Sequence, residues 1–280
     1  MEPGVFAAVL AAAAMHAGWN ALLKLRLDPF LAMTLLTASA GIVALPALFV
    51  TGLADRAALP WLAASVTLHL AYYVTLSAAY ARADMSQIYP IARGGAPLLT
   101  ALVSVTVLGE PVSGLQLVGI GALGGAVGAM SVLGRRGAPF DPVAVGLALL
   151  TAVVICGYTL SDGLGARAAG DPHAYSATLF VLDAPLLLAF ALWRRGPAAL
   201  APALRFRWQG LGGGAMSVAS YWIAIWAMTR APIPLVAALR ESSVLFAVVI
   251  AVLVVKEPLQ WSRAIAAGVI LLALALVRLG

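Results

Sequence analysis

The chain has 280 residues, of which 63% are hydrophobic and 10% charged, with a mean hydropathy of +1.01; a soluble domain carries about 45–50% apolar and about 25% charged residues. That balance argues against one soluble domain, a disordered chain or a nucleic-acid binder, since the formal charge of +6 comes from arginines scattered between apolar runs, with no basic stripe. The single cysteine, Cys156, leaves no internal disulfide and no cysteine metal site.

Apolar runs of about 20 residues, long enough to cross a bilayer, fall at 4–23, 30–52, 60–80, 85–108, 113–133, 143–166, 174–193, 209–229, 233–255 and 261–279. The expected fold is an all-α integral membrane protein of ten transmembrane helices. It leaves no room for an extramembrane domain. The acidic start Met1-Glu2-Pro3 lacks the positive region of a signal peptide, so the first span reads as a retained helix.

Polar side chains inside these runs are the candidates for chemistry. In the first span His16, Trp19 and Asn20 share a helix face at i, i+3 and i+4, forming either a substrate wall or an interhelical hydrogen-bonding face. His69 with Tyr72 and Tyr73 repeats the arrangement in the third span. Tyr89-Pro90 opens the fourth, and Arg93 follows inside it. A charge in hydrocarbon costs about 2.5 kcal/mol or more, so it is read as facing a cavity or a partner. Gly121, Gly124, Gly125 and Gly128 give the fifth span overlapping small-xxx-small patterns for close helix approach. In the sixth, Tyr158 answers Trp19, and Asp162 is expected near the interface. Asp183, two residues before Pro185, sits mid-span in the seventh, either as a proton-coupling group or neutralised by arginine. Tyr221 and Trp222 lie at mid-depth in the eighth. Pro232-Ile233-Pro234 opens the ninth, which carries Arg240 and Glu241. The competing reading of the charges is a buried ion pair of Arg93 or Arg240 with Glu241 or Asp183 that locks the bundle.

Of the 17 Lys and Arg residues, eleven fall in odd-numbered connections, four in even ones or at the termini, and Arg93 and Arg240 within spans. The positive-inside rule then puts both termini outside. Sliding the chain on itself gives a register of 147 residues that pairs Trp61 with Trp208, Arg93 with Arg240 and Glu110-Pro111 with Glu257-Pro258. Each half, 1–136 and 137–280, holds five spans. Five is odd, so the second half enters from the opposite side, giving two inverted five-helix repeats with a site expected between them near mid-bilayer.

Two stretches carry a family resemblance: Ser86-Gln87-Ile88-Tyr89-Pro90-Ile91-Ala92-Arg93-Gly94 running to Leu108-Gly109-Glu110-Pro111, and Pro234-Leu235-Val236-Ala237-Ala238-Leu239-Arg240-Glu241-Ser242-Ser243 running to Val255-Lys256-Glu257-Pro258. The chain resembles the drug/metabolite transporter superfamily, in particular its EamA-type ten-helix members. It departs from the pattern at Lys256, where the first half has Gly109, and at Val244, where it has Pro97. The resemblance implies a secondary transporter working by alternating access through a cavity between the repeats. It also makes Glu110 and Glu257, in the repeated loop, gating candidates.

Arginine grips carboxylate or phosphate bidentately, so the expected substrate is a small anionic or zwitterionic metabolite held by Arg93, Arg240, Glu241, His16, Trp19, Asn20, Tyr72, Tyr73, Tyr89, Tyr158, Tyr221 and Trp222. Coupling candidates are Asp183 and Glu241, with protons as the coupling ion. The alternatives are a transporter of organic cations using Glu241 and Asp183, or an intramembrane enzyme. No nucleotide-binding loop, His-Glu-x-x-His or Gly-x-Ser-x-Gly motif is present. No catalytic activity, cofactor or metal is expected. The chain is expected as a monomer or homodimer in a bacterial inner (cytoplasmic) membrane, its partners being a small-molecule substrate and the lipid bilayer, with no nucleic acid.

Overall fold

The computed structural model describes residues 1–22, 27–133, 141–253, 256 and 261–280. Among them the chain is helical throughout, with no strand: α1 (Pro3–Leu22), α2 (Pro29–Thr51), α3 (Leu59–Tyr80), α4 (Met85–Thr106), α5 (Gly114–Leu133), α6 (Pro142–Ala168), α7 (Pro172–Leu200), α8 (Arg207–Met228), α9 (Ile233–Arg240), α10 (Ser243–Leu253) and α11 (Trp261–Leu279), plus short 3-10 turns at Arg56–Ala58 and Ala201–Phe206. Among the described residues six stretches are long and apolar enough to span a membrane, which makes this an integral membrane protein.

Local chemistry sets the helix starts. Asp28-Pro29, Asp141-Pro142 and Asp171-Pro172 are the same device three times. The aspartate side chain accepts from backbone N–H groups of Phe30 and Leu31, of Val143, or of His173, and the proline fills the first helical position, where its missing N–H costs nothing. Away from the seventh and ninth expected spans, helix ends lie within two residues of expectation.

Two of the expected spans are corrected. The seventh, expected to end at 193, runs to Leu200 with a turn at Gly196, whose φ of 73° breaks the helix ahead of Pro197. The ninth, expected as one helix, is cut at Glu241–Ser242. There the backbone bonds run Glu241 N–H to the Ala238 carbonyl and Ser242 N–H to that of Leu239, tightened turns that are closed by the Ser242 hydroxyl donating to the Leu239 carbonyl at 2.7 Å.

Helix α3 packs on α6 and α1 on α8; α2 packs on α7 and α8, α4 lies against α5 and α6, and α11 lies against α5. Helices α4 and α5 meet backbone to backbone: a Cβ on Gly94 would stand 2.7 Å from the Gly124 carbonyl oxygen and from the Gly128 nitrogen. The small-residue pattern of the fifth span is therefore used inside the chain at Gly124 and Gly128, whereas Gly121 and Gly125 face open space.

Ion pairs tie the helix ends at two levels. Arg82 to Asp141 (3.0 Å) and Arg195 to Asp28 (2.8 Å) join the end of α3 to the start of α6 and the end of α7 to the start of α2. Arg167, at the end of α6, pairs with Glu110 beyond α4. The core between these levels is broken by a polar cavity.

Candidate functional site

The cavity has a volume of about 80 Å³. Its walls come from His16 and Trp19 of α1, Met33 and Leu36 of α2, His69, Tyr72 and Tyr73 of α3, Arg93 of α4, Tyr158 of α6, Leu179, Phe180 and Asp183 of α7, Ser217, Ser220 and Tyr221 of α8, and Arg240 of α9. Eight of the expected site residues thus share it with Asp183. Arg93 and Arg240, drawn from opposite halves of the sequence, face one space.

The two arginines differ in their partners. The Arg93 Nη2 atom lies 2.8 Å from Glu241 Oε1, both side chains being 5% exposed, and the Tyr89 ring lies 5.9 Å from the guanidinium carbon. This realises the buried pair foreseen as the competing reading. Arg240 instead lies over the face of Tyr221, 4.6 Å from the ring centre, and no carboxylate among the described residues comes within ion-pair distance of it. The break after α9 explains the division. Arg240 ends its helix on the cavity side, while Glu241, in the turn, reaches α4.

Asp183 is 5% exposed. One oxygen accepts from the Tyr73 hydroxyl at 3.3 Å, and that hydroxyl accepts from Thr37 at 3.0 Å. Its other oxygen, Oδ1, has no protein partner among the described residues, and neither has His16 Nε2. The arginine neutralisation considered for Asp183 is not found there. The cavity thus presents a guanidinium without an acid, a carboxylate with a free oxygen, and an aromatic wall. Within that wall Tyr158 lies 4.4 Å from the His69 ring and 5.9 Å from that of Tyr72.

Several expected residues lie elsewhere. The Asn20 amide donates to the His16 carbonyl of its own helix at 2.8 Å, the usual diversion of a short amide to a nearby backbone acceptor. The Trp222 indole donates to His173 Nδ1 at 2.8 Å, which turns it from the cavity lined by its neighbour Tyr221. Tyr89 and Glu241 stand one contact behind the wall, against Arg93. Glu257 lies outside the described residues.

Glu110 is not part of the cavity lining and belongs to a separate cluster beyond the end of α4. It pairs with Arg167 through one oxygen and accepts the Ile233 N–H at 3.2 Å through the other, while Arg167 also donates to the carbonyls of Met228 (2.9 Å) and Ala231 (3.2 Å). Four segments are fastened there by two side chains.

Asp162 corrects its sequence assignment. It is fully buried rather than interfacial, and its carboxylate accepts from the hydroxyls of Tyr175 at 2.9 Å and Tyr221 at 2.5 Å. Helix α6 continues six residues past it, and the start of α7 folds back over it through Tyr175. Behind the wall, Asp162 fixes the ring on which Arg240 rests. The sequence signal was available: a carboxylate one turn after Tyr158 on the same face.

Residues 143–279 match the family model of the EamA-like transporter family. The second half of the chain is EamA-like. The EamA-like region holds α6 to α11, and with them Asp162, Asp183, Tyr221, Arg240 and Glu241. A solved structure titled only as the crystal structure of a protein shares the fold over nearly all of both chains, 98% of this one and 95% of that one, with a TM-score of 0.76 at 19% identity. A search of curated proteins gives no match.

Proposed function

We propose that this chain is a secondary transporter that carries a small anionic or zwitterionic metabolite through the central cavity by alternating access, with protons as the coupling ion. The observation that carries this reading is the presence of Arg240, without an acid, and Asp183, with a free oxygen, in the lining of one cavity. A guanidinium fork receives a carboxylate or phosphate, and a carboxylate in an apolar wall binds an ammonium or a proton in its place.

On the same reading, residues 1–136 and 137–280 are two five-helix repeats of inverted topology. Two observations support it. The pairing of α3 with α6 is answered by that of α8 with α1, as exchange of the halves requires. Gly109 and Lys256, equivalent in the 147-residue register, have φ values of 65° and 60°, the same uncommon turn at the same place. The repeats rock about the cavity, and the Glu110–Arg167 cluster opens and closes one end. The alternative of an organic cation rests on Asp183 alone, since Arg93 engages Glu241.

Counterflow in proteoliposomes tests the reading, using radiolabelled amino acids, organic acids, phosphorylated metabolites and organic cations. Uptake of an anionic or zwitterionic compound, lost in Arg240→Ala, is expected. Transport should depend on pH in the parent and lose that dependence in Asp183→Asn. Movement of cations only, undisturbed in Arg240→Ala, would overturn the assignment of the site.

A further inference from the structure

The connection between α7 and α8 is strongly asymmetric in charge. Residues 193–208 hold Arg194, Arg195, Arg205 and Arg207, and no acidic residue occurs between Asp183 and Glu241. Helix geometry puts all four arginines at one membrane face. Arg194 follows Pro172 by a rise of about 33 Å and Arg207 precedes Met228 by about 32 Å, each close to the hydrocarbon thickness of about 30 Å. Between them the chain turns at Gly196 and Pro197 and runs on in the 3-10 turn Ala201–Phe206, which packs against α2 and α8 through the buried Ala203.

Three large apolar residues of this segment face outward. Trp193 is 80% exposed, Trp208 70% and Leu204 65%. Tryptophans bracketing a segment at the end of two spanning helices belong at headgroup level. Arginines beside them then stand among lipid phosphates. Arg195 is committed to Asp28 and the Phe30 ring. Arg194, Arg205 and Arg207 are exposed, with no acidic partner among the described residues, and Arg207 rests only on Trp208.

We infer that segment 193–208 is a binding surface for anionic phospholipid, in which Arg194, Arg205 and Arg207 take the headgroup phosphate and Trp193, Trp208 and Leu204 lie in the interface around it. The chemistry follows from the pairing of guanidinium with phosphate and from the attraction of a basic segment at the membrane surface to acidic lipid. The inference does not depend on transport.

Native mass spectrometry of the full chain tests it, with phosphatidylglycerol and phosphatidylcholine of the same acyl chains offered in equal amounts. The parent is expected to retain phosphatidylglycerol preferentially. Arg194→Gln with Arg205→Gln should lower that preference by roughly fivefold for each arginine removed, with the melting midpoint in phosphatidylcholine unchanged. Arg56→Gln, an exposed arginine at the opposite end of the bundle, should retain the parental preference. Equal retention of the two lipids by the parent, an undiminished preference in the double variant, or an equal loss in Arg56→Gln would each overturn it.

Discussion

Arg93 and Arg240 are equivalent in sequence register and unlike in energetic role. Arg93 is half of a buried ion pair, and truncating one partner of such a pair strands the other charge, at a cost of about 3–5 kcal/mol. Arg93→Ala should therefore lower thermal stability in detergent by that order, while Arg93→Met with Glu241→Leu should recover most of the loss. Arg240→Ala leaves no carboxylate stranded and gives up one cation–π contact of about 1–2 kcal/mol. Its main effect should be on transport, and the ratio of the two melting shifts is the check. The sequence identified both arginines, Glu241 and Asp183 because a charge within an apolar run is conspicuous. It did not divide them, since which acid meets which arginine depends on the break after Arg240, and nothing in Arg240-Glu241-Ser242 distinguishes a turn from continued helix. Asn20 and Trp222 were over-read for a related reason: helical spacing fixes a face, but not which acceptor a side chain then finds. Phe180, Met33 and Leu36 carried no signal, being apolar residues in apolar spans.

At the scale of elements, helix starts were the most legible part of the chain because Asp-Pro and the apolar run length act locally. The ends were less so where a helix continues past its apolar run, as in α7, which goes on through Arg194 and Arg195 to the turn at Gly196. The Glu110–Arg167 cluster joins the chain after α4, the end of α6, the end of α8 and the start of α9, and of its two side chains only Glu110 stands out in the sequence. Arg167, one of the four cations in even connections or at the termini, carries no such mark. Arg167→Ala should release Glu110 and with it the Ile233 N–H, so hydrogen–deuterium exchange around residues 229–236 should quicken while exchange in α2 stays as in the parent. Unchanged protection there would mean that Glu110 holds α9 without its arginine. Lys256 is the other element-level feature. A residue with a side chain at φ 60° bears a left-handed penalty of about 1–2 kcal/mol, part of which is returned by the lower entropy of its unfolded chain. Lys256→Gly should raise the melting midpoint, by an amount below about 1 kcal/mol of stability, and a fall would show that the lysine side chain has a compensating contact.

Across the whole molecule, the cavity is a joint product of distant parts of the chain, and that is why composition and spacing located its helices more readily than its contacts. The Arg93–Glu241 contact has a consequence for how the protein is made. Glu241 is synthesised 148 residues after Arg93, so at about 5–20 residues per second the ribosome needs roughly 7–30 s to supply the counter-ion. During that interval α4 holds a guanidinium in or near the bilayer without the acid that pairs with it in the folded chain. An unpaired arginine at that depth is accommodated by snorkelling to the headgroups or by wetting until the later helices arrive. Biogenesis therefore has a late commitment step, and a chain truncated before residue 241 should remain extractable or be degraded where the full chain is retained.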